Sequence, residues 1–143
     1  MSVDIDGDYL ASGGGYGEHC YVKVWDMKKR RQLCAIKHDD SVRYVKVHGD
    51  VVVSASDDHT VKLWNRSDGR LATLQHDKGC NSFDIQNNLL AVAGDDGSYI
   101  WSLKHQQTIS KIELGNYVYD VRFQQQSIIA VRKKGEVYAI KIE

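Results

Sequence analysis

The chain of 143 residues is long enough to bury one ordinary core without disulfides or a structural metal. Lysine plus arginine and aspartate plus glutamate number 19 each, so no long-range field of either sign draws it to nucleic acid or to an anionic membrane. Three cysteines without C-x-x-C spacing, an acidic and polar start, and no apolar run that could span a bilayer lead us to expect reduced thiols and a cytoplasmic or nuclear protein.

Read in chain order, short apolar segments follow one another in a fixed succession. Val3-Asp-Ile5 comes first, then LASGG from Leu10, CYVKVWDM from Cys20 and LCAI from Leu33. The order returns as VRYVKV from Val42, VVVSAS from Val51, HTVKLWNR from His59 and LATL from Leu71. A third pass gives CNSFDI from Cys80, LLAVAG from Leu89, GSYIWSLK from Gly97 and TISKI from Thr108. The last gives VYDVRF from Val118, SIIAVR from Ser127 and GEVYAIKI from Gly135. The third segments of the four passes start 39, 38 and 38 residues apart, a period that marks an array of one supersecondary unit. Each segment is short, rich in Val, Ile, Leu and Tyr, and bounded by Gly, Asp, Asn or Ser, which predicts strands and turns. No segment sustains a helical spacing of apolar residues, so essentially no helix is expected.

Four short antiparallel strands at this period resemble a propeller blade, since such a sheet hides both faces only when neighbours stack on it. VKVWD at Val22 and VKLWN at Val61 resemble the signature of the WD-repeat β-propeller family. The expected fold is all-β: a partial WD-repeat propeller of about four blades of four-stranded antiparallel sheet, at approximately 2–38, 39–77, 78–114 and 115–143, the last lacking its outer strand. An open fragment of this kind is expected either to be the C-terminal half of a longer parent, such as an F-box/WD-repeat-like protein, or to pair with a second propeller half or a second copy.

In the second repeat the resemblance implies a buried relay of His38, Ser54, Asp58 and Trp64, in which imidazole, hydroxyl, carboxylate and indole N–H satisfy one another. The other repeats depart from it. The first has a long link, Gly13 to His19, with no aspartate at the expected place. The third keeps His76, Asp95 and Asp96, but Trp101 stands one residue early, so either its strand is a residue short or the indole fills another slot. The fourth has Lys133-Lys134-Gly135 in place of an acidic turn and Ile140 in place of tryptophan.

The relay accounts for His38 and Asp58 better than a metal site built from His38-Asp39-Asp40, Asp57-Asp58-His59 and His76-Asp77 does, and no metal is expected. It equally removes a Ser-His-Asp catalytic reading. Gly13-Gly-Gly-Tyr-Gly is followed by neither a helix nor Gly-Lys-Ser/Thr, so it is no nucleotide loop, and no cofactor is expected. The resemblance implies a rigid frame that presents links 37–41, 75–79 and 114–117, together with turns 13–19, 57–59, 94–97 and 132–135, on one face. Tyr16, His19, Arg43, Tyr117, Arg132 and Lys133 are the candidate contacts there, because Tyr and Arg anchor interfaces. The expected function is a non-enzymatic scaffold for other proteins or peptides. The alternative is the substrate-recognition part of an F-box-type ubiquitin ligase adaptor, with Arg43 reading acidic or phosphorylated peptides.

Overall fold

The structure is a computed structural model and describes residues 1–112, 114–115 and 117–142. Each alternating segment forms a strand, and the strands pair antiparallel with their chain neighbours. The first sheet has the order β1 (Ser2–Asp6), β2 (Tyr9–Gly14), β3 (Tyr21–Asp26), β4 (Arg31–Lys37). The second has β5 (Val42–His48), β6 (Val51–Ser56), β7 (Thr60–Asn65), β8 (Leu71–Gln75). The third has β9 (Cys80–Gln86), β10 (Leu89–Gly94), β11 (Gly97–Ser102), β12 (Gln107–Ile112). The fourth has three strands, β13 (Val118–Gln124), β14 (Ser127–Arg132) and β15 (Val137–Lys141), with β15 at its edge. The fold class is therefore the expected one, four blades with the last short of its outer strand. Among the described residues the helical content is one 3-10 turn at Lys133–Gly135, broken by Lys134 at φ 73°, and no helix is long and apolar enough to cross a membrane.

The chain divides into two compact units, Met1–Gln75 and His76–Glu143, with two sheets in each. In the first unit Ala11, Val22, Val24 and Ile36 of the first sheet pack on Val42, Val45, Val47 and Val52 of the second. Each such buried valine removes enough apolar surface from water to contribute about 1.5–3 kcal/mol. The two sheets approach closely at Gly13: a Cβ there would lie 2.6 Å from methyls of Val42 and Val45. The polar side chains that alternate with the apolar ones on β1 have a structural use as well. Ser2 Oγ, Asp4 Oδ2 and Asp6 Oδ2 accept the backbone N–H groups of Val45, Val47 and Gly49, the last two at 2.8 and 3.0 Å.

The second unit repeats the device with its own residues. Ala91, Ala93, Ile100 and Ile112 of the third sheet pack on Val118, Val121, Ile128 and Ala130 of the fourth, and Asp84 Oδ2 accepts the N–H of Phe123 at 2.9 Å.

Strand register decides between the two alternatives left open for Trp101. Trp64 pairs across with Val52 and Trp101 with Leu90, the residue 38 positions after Val52. The indole keeps its slot, and the hairpin is shorter: Gly94 pairs directly with Gly97 across Asp95-Asp96, whereas turn 57–59 of the second sheet holds one residue more, His59, at φ 66°.

Candidate functional site

In the second sheet the buried polar residues converge on one imidazole. His38, almost wholly buried, places Nδ1 2.8 Å from Asp58 Oδ2 and Nε2 2.9 Å from Ser54 Oγ. The carboxylate of Asp58 also accepts the backbone N–H of Asp39 at 2.9 Å, the backbone N–H of Thr60 at 2.9 Å and the Thr60 hydroxyl at 2.6 Å. Burial alone would raise the Asp58 carboxyl, but these hydrogen bonds from Thr60, Asp39 and His38 outweigh it and bring it down to about 2. Burial likewise lowers His38, against the pull of Asp58, so the imidazole is neutral, donates from Nδ1 to the carboxylate and accepts at Nε2 from the serine.

One expected member stands elsewhere. Trp64 packs with the apolar cluster around Val42, Val45 and Val52, while the remaining contact of Ser54 Oγ is the carbonyl of Lys62 at 3.5 Å. Thr60 takes the fourth place in the network. Its signal lay in the sequence, since a hydroxyl two residues after an aspartate is a common turn-closing pair.

The third sheet repeats the histidine, the aspartate and the tryptophan, loosely assembled, with Val92 in place of the serine. His76 Nδ1 is 3.9 Å from Asp96 Oδ1, and the other carboxylate oxygen accepts Tyr99 Oη at 2.8 Å. The His76 ring meets Tyr99 and Trp101 edge-on at 4.9 and 5.7 Å between centroids. Asp96 Oδ1, Ser98 Oγ and Trp101 Nε1 are buried without a hydrogen-bond partner among the described residues. In the fourth sheet the positions of His38, Ser54, Asp58 and Trp64 hold Leu114, Ala130, Lys134 and Ile140, and no relay is built. Among the described residues no group of three or more His, Cys, Asp or Glu side chains could hold a metal ion. The thiols are not activated: burial pushes Cys34 up to about 11 and Cys80 up to about 12.

The links and turns that carry the candidate contacts are stitched together within each unit. In the first, Ser41 Oγ donates to Gly15 O at 3.2 Å and the N–H of Asp39 to Asp58. Tyr16 stands 90% exposed and His19 is exposed. Arg43, with its side chain 58% exposed, pairs with Asp57, Nε to Oδ2 at 2.7 Å, so its charge is already answered. In the second unit the N–H of Tyr117 donates to Asp95 O at 3.2 Å and that of Lys133 to Tyr117 O at 3.3 Å. Tyr117 is 46% exposed, Lys133 is exposed and Arg132 half-buried. Asn116, inside the expected link 114–117, lies outside the described residues.

A model of the WD domain, G-beta repeat family matches residues 31–65. The mitochondrial division protein 1 of Candida glabrata is 30% identical over 118 residues, 76% of this chain, and a coronin-like protein of Saccharomyces cerevisiae is 36% identical over 74 residues, 49% of it. The chain belongs to the WD-repeat β-propeller family. It spans 16% and 11% of the length of those two relatives. Two solved structures carry the same fold at 22% identity: the computationally designed Ika4 protein, at TM-score 0.86 over 99% of this chain and 90% of that one, and the designed Ika8 protein, at 0.88 over 99% of this chain and 45% of that one. In WD-repeat terms β1, β5, β9 and β13 are the a strands, and the turn after each b strand joins it to strand c. Repeats of this family serve as platforms for binding other proteins.

Proposed function

We propose that this WD-repeat segment is a non-enzymatic scaffold that holds a partner protein on its b–c turns and d–a links, through Tyr16, His19, Arg43, Tyr117, Arg132 and Lys133. The carrying observation is the division of labour within each blade. The cores and the caps on neighbouring backbone are built from strand side chains, whereas Tyr16 and Tyr117 are large aromatic residues exposed on the turns and links themselves. Tyrosine in such a place supplies wide contact area at small entropic cost. The finer reading, an F-box-type adaptor that takes phosphopeptides on Arg43, has less support, because a phosphate would have to displace the Asp57 carboxylate.

Site-specific photo-crosslinking in cells tests the proposal. A crosslinking amino acid at Tyr16 or Tyr117 should capture a partner that the same group at Asp68, in the c–d turn of the second blade, does not. Equal capture from Asp68, or capture from Asp68 alone, removes the proposed surface.

A further inference from the structure

The fourth blade keeps the three-residue b–c turn of the second. Lys133, Lys134 and Gly135 stand 76 residues after Asp57, Asp58 and His59, and Gly135 has φ 75° where His59 has 66°. The residues on that frame are inverted in charge. Asp39, Asp57 and Asp58 of the second blade correspond to Asp77, Asp95 and Asp96 around the third, and to Gly115, Lys133 and Lys134 around the fourth. With Leu114 and Ala130 in place of the relay histidine and serine, no buried imidazole requires a carboxylate there. The turn has lost its structural duty and has gained cations.

The surroundings fit a ligand better than an internal partner. Lys133 and Lys134 are exposed and form no ion pair among the described residues. Lys133 Nζ stands 5.6 Å from the ring centroid of the half-exposed Tyr117, and Tyr119, 48% exposed, occupies the bulge where β13 meets β14. Gly115 leaves room for the guanidinium of Arg132, whose Nη2 lies 3.2 Å from where a Cβ would be. Arg132 Nη1 is 3.3 Å from Glu136 Oε2, and its Nε is buried without a hydrogen-bond partner among the described residues. Cations beside exposed aromatic rings, on a chain whose overall charge is balanced, make a local anion reader, with no field reaching out to a polyanion.

We infer that the b–c turn of the fourth blade, with Lys133, Lys134, Arg132 and the rings of Tyr117 and Tyr119, binds an acidic peptide segment of a partner protein. This rests on the scaffold reading and names the chemistry of one of its contacts.

The probe is a fluorescein-labelled glutamate-rich peptide, followed by anisotropy at low salt on the full chain and compared with the same peptide carrying glutamine for glutamate. The chain should prefer the glutamate peptide, and Lys133→Glu with Lys134→Glu should weaken it about tenfold or more, while the same double reversal at the exposed Lys28 and Lys104, in c–d turns of the first and third blades, shifts it less than about twofold. A melting curve checks that the variant is folded, and Lys133→Gln with Lys134→Gln supplies a second, milder loss of about threefold or more. Binding unchanged by either pair, no preference over the glutamine peptide, or a stronger preference for single-stranded RNA or phosphatidylserine vesicles overturns the inference. If the doubly reversed chain still gives the Tyr16 crosslink to a partner but loses the peptide, both readings stand. A surviving crosslink with no peptide preference removes only the acidic ligand, and loss of the Tyr16 and Tyr117 crosslinks from the unaltered chain removes the scaffold surface itself.

Discussion

The second and third blades carry histidine and aspartate at the same spacing, His38 with Asp58 and His76 with Asp96, yet the pairs are built differently. In the second blade imidazole and carboxylate meet at 2.8 Å with serine and threonine closing the network. In the third they stand 3.9 Å apart and the carboxylate turns to Tyr99. Two changes separate them. The third hairpin is one residue shorter, so its aspartate starts from a different point in the turn, and Val92 replaces the serine hydroxyl. A polar network of this kind depends on the length of its turn and on every hydroxyl in it, because a partly completed set leaves buried groups unsatisfied.

The largest expected difference follows from the carboxylates. Asp58→Ala strips partners from His38, from two backbone N–H groups and from the Thr60 hydroxyl, and should cost about 2–3 kcal/mol, as loss of buried charge-assisted hydrogen bonds does. Asp96→Ala, which releases the Tyr99 hydroxyl and a long contact to the N–H of Asp77 at 3.3 Å, should cost about 1 kcal/mol. Denaturant melts of the two variants measure this, and equal losses would erase the distinction between the blades.

Acid should find the second blade next. Asp58 is held at about 2 against an ordinary 3.8, so its unfolded form takes up a proton first. The stability it contributes is present above about pH 4 and is lost as pH falls toward 2, by about 1–2 kcal/mol. His38 is also lowered. Its share is present above about pH 6.5 and is lost as pH falls below that, because the unfolded imidazole protonates more readily. Melting temperature against pH for the unaltered chain should fall in both windows, and Asp58→Asn should flatten the lower one. A pH profile that keeps its full low-pH slope in Asp58→Asn would mean that other carboxylates carry the acid sensitivity.

Ser54→Val gives the second blade the residue of the third at that place. It removes the partner of His38 Nε2 and adds a methyl group at a fully buried position, so a loss of about 1–2 kcal/mol is expected. No loss would make the hydroxyl dispensable and would leave turn length as the sole origin of the difference.

The blades themselves were legible because two periodicities reinforce each other: strand alternation within segments, and a repeat of 38 or 39 residues between them. Polar uses of the same residues were not. Trp64 lies at the family spacing but packs in the apolar layer, since spacing along a strand fixes the face of the sheet and not which atom a hydroxyl meets. Arg43, expected to read acidic or phosphorylated peptides, is held by Asp57 across the hairpin. Asp4 of β1 and Asp84 of β9 cap backbone donors of the next blade, a contact between residues about forty positions apart that no local pattern announces.

The smallest effect concerns the two tryptophans in the same slot. Trp101 is buried at 8% exposure, and its Nε1 has no hydrogen-bond partner among the described residues. Trp64 is only half-buried. Replacing an indole by phenylalanine loses ring volume in both places, which costs packing. At Trp101 the same change also removes a buried, unsatisfied donor, whose desolvation costs about 1–3 kcal/mol. The two terms offset each other, so Trp101→Phe should leave stability within about 1 kcal/mol of the unaltered chain and cost no more than Trp64→Phe, although Trp101 is the more deeply buried of the two. If Trp101→Phe instead proves the more damaging in parallel denaturant melts, its N–H has a partner in solution, and the third blade is held together by a network as complete as that of the second.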